Sequence, residues 1–287
     1  MSDVVVVGDL MVDVVVVPSG PLVRGSDRAA SVRTTGGGSG ANTACWLASL
    51  GVDVRLVAAV GDDDLGRAAV EALTRLGVSF AGSVDPERST GACVVLVEPD
   101  GERTMLPDRG ANDALPVAAV DAALGSPPRW LHLSGYTLLD EGSRPAGLAA
   151  LAAARASGVP TSVDASSAGP LRDLGGARFL EWVDGCAVLF ANDDELDALG
   201  GSAPALDHVE VVVAKHGPDG GSWWTTPQSW SAPATPAALV DTIGAGDAFD
   251  AGVIDAVLRG LDPAAALEAA SLVAARAVAT AGARPEA

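Results

Sequence analysis

The sequence is almost without lysine. Lys215 stands alone, and 18 basic residues face 37 acidic ones, a formal charge of −19 over 287 residues. Nucleic acids and anionic membranes are bound by neutralising their phosphates with lysine and arginine, so this balance argues against both as partners. Cysteine is equally sparse: Cys45, Cys93 and Cys186 are odd in number and far apart. That excludes a disulfide framework and the paired spacing of a zinc site, and leaves three small buried hydrophobes. His132, His208 and His216 lack a ligand partner at metal-binding spacing and read as structural. One tyrosine and four phenylalanines leave aromatic stacking largely to six tryptophans. No apolar run approaches the roughly 18 residues that cross a bilayer, and the basic start and apolar stretch of a signal peptide are missing, so a cytoplasmic location is expected.

What is present is apolar material for a large core, 48% of the residues, in a rhythm of short valine-rich runs and alanine-rich segments. Val4 to Val7 reads as a buried first strand. Leu56 to Val60, Trp130 to Leu133, Thr161 to Val163, Ala187 to Ala191 and Val211 to Ala214 read as further strands. Helical patterns fall between them, among them Leu65 to Leu76 and Pro145 to Ser157, with Pro263 to Thr280 near the end. This alternation predicts a single α/β domain, a mostly parallel sheet with helices on both faces. Asp62 or Asp63 is expected to cap the helix at Leu65 in preference to holding a metal. Trp223, Trp224 and Trp230 are expected in a hairpin between Gly221 and Pro233.

The stretch from Asp241 to Gly252 carries the chemistry. Gly244 and Gly246 flank Ala245, so three successive backbone N–H groups lie unshielded at the positive end of a helix opened by Asp247. A phosphate cradle with a carboxylate beside it suits phosphoryl transfer to an alcohol, the carboxylate taking the hydroxyl proton. A tight turn with an acidic N-cap would also produce this pattern. Elsewhere, Asp9 and Asp13 follow the first strand, where ligands of open α/β sheets gather. Asn192 with Glu195 nearly forms a capping box and also offers oxygens to a hydrated magnesium ion. Asp164, Ser166 and Ser167 stand at a strand end, facing a site or capping a helix.

Asp241, Thr242, Gly244, Ala245, Gly246, Asp247 and Phe249 match the Asp-Thr-x-Gly-Ala-Gly-Asp-x-Phe signature of the ribokinase family, the PfkB-type carbohydrate kinases. Gly37, Gly38, Asn42 and Ala44 resemble that family's N-terminal signature, and Gly61 to Gly66, Gly110 to Asn112 and Gly282 to Pro285 resemble further elements in the same order. The resemblance implies a three-layer α/β/α core covered by a small β lid, here at about residues 11–35 and 89–110 with a hairpin turn at Glu98 to Gly101. It implies Asp247 as general base, Gly244, Ala245 and Gly246 as the anion cradle, and Asp13, Gly37, Gly38 and Asn42 as contacts to the acceptor. Asn192, Lys215, Gly217, Gly220 and Thr242 are implied at ATP, Asn192 and Glu195 at magnesium through water, and Asp241 at a potassium ion. The role of Asp250, where many members carry an uncharged residue, stays open.

The reading is an ATP-dependent kinase acting on a small sugar or sugar-like alcohol, with a nucleoside kinase or a non-catalytic sugar-binding protein on the same fold as alternatives. A phosphorylated sugar is expected less, since it would need a cationic pocket built from arginines such as Arg24, Arg33, Arg103 and Arg109. A Rossmann dehydrogenase fails to explain Asp241 to Phe249. The unpaired edges of lid strands predict a homodimer.

Overall fold

A computed structural model describes residues 2–97 and 103–286; the expected turn at Glu98 to Gly101 lies outside the described residues. The strand Val4–Val7 has no polar side chain, so both of its faces have to be covered. Val4 and Val6 enter one apolar core and Val5 and Val7 the other. Around it lies a nine-stranded sheet in the order Ser229–Ala232, Gly221–Trp224, Val211–Lys215, Val188–Asn192, Thr161–Asp164, Trp130–Ser134, Val4–Val7, Val54–Val57, Ser79–Phe80. Pairing is parallel from Val211–Lys215 to Ser79–Phe80, and antiparallel for the two strands of the tryptophan hairpin. Helices Ser39–Ser49, Ala245–Leu258 and Pro263–Val278 cover one face, and helices including Val117–Leu124 and Arg144–Ala156 cover the other. The three layers are those the ribokinase resemblance implies.

A second, four-stranded sheet runs Ala30–Gly37, Met11–Pro18, Gly91–Val97, Arg103–Asp108, its first strand reaching two residues past the expected 11–35. Along Met11–Pro18 burial alternates, with Met11, Asp13 and Val15 facing inward. Met11, Val15, Cys93 and Val95 pack with Ile243 and Ala283, so the inner face sits on two loops of the large layer. The outer face exposes Val32, Val94 and Leu106.

One expected strand divides. Leu56 to Val60 breaks at Ala58: Val54–Val57 stays in the large sheet, and Ala59–Gly61 leaves it to pair with Ser83–Asp85. A continuous apolar run carries no mark of that switch. Asp63 caps the helix Asp64–Arg75 through Gly66 N–H at 2.7 Å and also accepts from Thr90 N–H at 2.8 Å.

Candidate active site

The polar residues gather where the parallel strands end. Asp9, Ser134, Asp164, Asn192 and Lys215 all stand at or just beyond strand carboxyl ends. Two helices start toward the same place. Gly244 precedes the helix Ala245–Leu258 with a left-handed φ of 75°, and a Cβ there would lie 2.4 Å from the Ala283 carbonyl, so only glycine can make this turn. Ala245 N–H is turned to Thr242 O, and Ala248 is the first to bond back to Gly244 O, at 2.9 Å. Gly246 and Asp247 N–H belong to the first turn, where a helix has no acceptor of its own to offer. The helix therefore begins two residues earlier than Asp247, and Asp247 is its third residue.

The second helix, Ser39–Ser49, brings Ser39 and Asn42 onto one side of its first turn. Ser39 Oγ donates to Asp247 Oδ1 at 2.8 Å and Asn42 Nδ2 donates to Asp247 Oδ2 at 2.9 Å. Burial pushes the Asp247 carboxyl up to about 6; the hydrogen bond from Asn42 pulls the other way and the charge of Asp164 adds to the rise. Arg284 fixes the Asn42 amide from behind, its Nε donating to Asn42 Oδ1 at 3.1 Å and its Nη2 to Gly37 O at 2.5 Å. Arg284, from the stretch Gly282 to Pro285, is thereby drawn to Asn42 and Gly37. Asp13 is buried beside Gly37, where a Cβ would come within 2.0 Å of Asp13 Oδ1. Burial raises Asp13 to about 6, against the nearby charge of Arg284. Asp9, by contrast, is structural: it accepts from Gly40 N–H at 3.0 Å and pairs with Arg109 at 3.4 Å.

Beneath the turn lies a cluster that no sequence motif announced. Lys215 Nζ reaches Asp164 Oδ1 at 2.9 Å and Asp250 Oδ2 at 3.2 Å. Its ammonium also lies 3.6 Å from where a Cβ on Gly246 would stand, directly under the cradle. Burial works against the charged ammonium, but Asp164 and Asp250 hold its pKa above the usual lysine value. The expected nucleotide contact of Lys215 is thus not a free side chain: it is committed to two carboxylates. Gly217 opens a short turn in open space, while Gly220 is needed by the hairpin, since a Cβ would lie 2.1 Å from Ala232 O.

Asn192 and Glu195 form the full capping box: Glu195 N–H donates to Asn192 Oδ1 at 2.9 Å, and Asn192 N–H to Glu195 Oε2 at 2.8 Å. Burial and the charge of Asp164 raise the Glu195 carboxyl to about 7. A cation would restore the charge of such a carboxylate, and the second lone pairs of its oxygens remain for a metal-bound water, so this pair fits a hydrated magnesium ion. Asp241 does not fit the expected potassium ion. Its carboxylate accepts from Arg103, Arg33 and the N–H groups of Ile243 and Gly282. Thr242, expected at the nucleotide, accepts a hydrogen bond from Arg103.

The model of the pfkB family of carbohydrate kinases matches residues 1–287. The chain belongs to that family. An ATP-dependent ribose-1-phosphate kinase of Halopiger xanaduensis is 36% identical to this kinase over 272 residues, 92% of this chain and 87% of the relative. Adenosine kinase of Sinorhizobium meliloti shares the fold with a TM-score of 0.89 at 23% identity, covering 99% of this chain and 96% of its own. An E. coli protein described as a putative ribokinase II, in complex with ATP and Mg2+, superposes with a TM-score of 0.86 at 22% identity, over 99% of this chain and 94% of its own. No helix among the described residues is long and apolar enough to cross a membrane.

Proposed function

We propose that this kinase transfers the γ-phosphoryl group of ATP to a hydroxyl of a small sugar, with Asp247 as general base. The convergence of Ser39 and Asn42 on Asp247 at the first turn of Ala245–Leu258 is the observation that carries the reading. Both donors leave each carboxylate oxygen a free lone pair, and that is where an acceptor hydroxyl gives up its proton. The hydroxyl oxygen then bonds to phosphorus as the bond to the β-phosphate bridging oxygen breaks, yielding ADP and the phosphorylated sugar, with the proton on Asp247. Gly246 and Asp247 N–H donate to the phosphoryl oxygens as charge develops on them. Asp13 and Asn42 orient the acceptor beside Gly37 and Gly38. Magnesium, when bound with the nucleotide, neutralises phosphate charge, and Asn192 and Glu195 would hold its waters. The four-stranded sheet serves as a lid that excludes water from the acceptor.

A sugar 1-phosphate stands first among acceptors, on the strength of the Halopiger relative's name and of Arg284, a guanidinium beside Asp13 and Asn42 that offers charge to a phosphorylated sugar. A nucleoside is the second reading, from the likeness to adenosine kinase. ADP release from Mg-ATP over sugar phosphates, sugars, sugar acids and nucleosides tests both, with Asp247→Asn in parallel. Acceptor-dependent release that the substitution abolishes supports the reading, and release that survives it removes Asp247 from the role of base. The apolar outer face at Val32, Val94 and Leu106 makes the lid the surface through which two copies pair. Light scattering giving a monomer at micromolar concentration refutes that pairing.

A further inference from the structure

Asp241 is 5% exposed and opens the turn that leads to Gly244. Its Oδ1 accepts from Ile243 N–H at 3.1 Å and its Oδ2 from Gly282 N–H at 3.1 Å, so one carboxylate ties together the two loops that flank the cradle. The remaining lone pairs go to the small sheet: Arg103 Nη2 reaches Oδ1 at 3.0 Å and Arg33 Nη2 reaches Oδ2 at 3.3 Å. These arginines stand on opposite edge strands of that sheet. Arg33 pairs in register with Val15 and Arg103 with Val97, and the inward alternation of those strands aims both guanidinium groups at the same carboxylate. Arg103 also donates to Thr242 Oγ1 from its other nitrogen. A pocket of about 190 Å³ lies between them, floored by Ile243 and walled by Val15 and Val97.

An ionised carboxylate offers about four lone-pair positions, and all four are taken here. Two guanidinium charges against one carboxylate leave the spot with a net positive charge, which repels a further cation at close range. We infer that Arg33 and Arg103 together stand in for a monovalent cation at Asp241, holding the loop before the cradle and joining it to the small sheet, so that turnover needs no potassium. Both are positioning residues: they act through Asp241 and Gly244 on the N–H groups of the cradle. Two guanidinium contacts reaching from opposite edges also fix where the small sheet rests, which a bare ion bound to the loop alone would not do.

The inference rests on the kinase reading, and its test has an arm that does not. ADP release by the wild-type protein is measured in KCl, NaCl and choline chloride at one ionic strength, and rates within about twofold of one another are expected, since screening is then held constant. The double variant Arg33→Ala/Arg103→Ala is expected to lose about ten- to a hundredfold in kcat, the size of effect that small misplacements of a site produce. Potassium, and not choline, should recover part of that loss and raise the variant's thermal unfolding midpoint while leaving the wild-type midpoint unmoved. Several-fold activation of the wild type by potassium over choline overturns the inference. So does a double variant that loses turnover without any response to potassium, because the arginines are then structural pins. Should the double variant fail to fold, Arg33→Ala alone carries the same comparison, its side chain being 47% exposed. Absence of ADP release in every salt counts against the kinase reading instead, and the unfolding midpoints still decide the cation question.

Discussion

Replacing Lys215 with methionine removes the positive charge shared by Asp164 and Asp250 while keeping an unbranched apolar stem. Asp250 is fully buried and Asp164 is 5% exposed, so neither carboxylate can turn to water. Asp250 Oδ1 already has no hydrogen-bond partner among the described residues. Breaking a buried ion pair by deleting one partner costs about 3–5 kcal/mol, because the other charge stays buried and uncompensated. For a chain of this size that amounts to a fall in Tm on the order of 10 °C. The loss should depend on pH in a defined direction. Burial already raises the Asp250 carboxyl and the ammonium opposes that rise, so without Lys215 it rises further; the penalty is then full at pH 8 and shrinks as pH falls and Asp250 takes up a proton. Guanidinium chloride unfolding at pH 8 and pH 5.5, analysed at a common m-value, measures this. Lys215→Met/Asp250→Asn should recover part of the stability, since one of the two stranded charges is gone. A loss below about 1 kcal/mol, the worth of a surface pair, or one that is equal at the two pH values, refutes a buried charge cluster held together by Lys215.

Because burial raises Asp247 to about 6, and the base acts only when ionised, kcat/KM should fall on the acid side with a midpoint near that value. Asp13 titrates in the same range, so the limb should be steeper than a single ionisation allows, and Asp13→Asn should return it to a single step; an acid limb centred near 4 contradicts both assignments. Asp63→Ala removes the cap of Asp64–Arg75 together with the acceptor for Thr90 N–H and Oγ1. A loss of about 1–2 kcal/mol in urea unfolding is expected, with activity retained. Unchanged stability would mean that water replaces all three hydrogen bonds.

The layered fold was legible because it rests on local signals. Four consecutive valines suit a strand covered on both sides, and Trp130–Ser134, Thr161–Asp164 and Val188–Asn192 each meet a glycine or an acid, Gly135, Asp164 and Asp193, ahead of a helix. The helix start proposed as the phosphate cradle was legible for the same reason: Gly244 to Asp247 is a contiguous stretch whose glycines and acid announce a helix N-terminus. What brings Ser39 to Asp247, Arg284 to Asn42 and Arg103 to Asp241 is not local at all. These pairs are separated by 208, 242 and 138 residues, and their side chains meet only once the sheets are assembled. Two hints stood in the sequence nonetheless. Asp250 lies within a run of apolar residues that has to be a buried helix, and a buried acid requires a partner. The single lysine of an acid-rich chain, placed at the end of an apolar strand, is the partner such an acid would have.

The same accounting explains how so acidic a chain can hold phosphates. Asp13, Glu195, Asp247 and Asp250 all have carboxyls raised above their ordinary values, and burial is the leading cause for each. Within their cluster, Lys215 and Arg284 supply the side-chain positive charge, and both already have partners. In the proposed mechanism, therefore, attraction for the phosphoryl group comes from groups whose charge does not titrate: the N–H groups of Gly246 and Asp247 and the positive ends of two helices. A cation arriving with the nucleotide would meet a Glu195 carboxyl raised to about 7 by burial and the charge of Asp164, and its positive charge would favour the ionised form. Raised carboxyl pKa values and a nucleotide-borne cation would in this way be two sides of one arrangement: protonation softens the repulsion these acids offer a bare phosphate, and the cation would restore the charge on Glu195 that holds its waters.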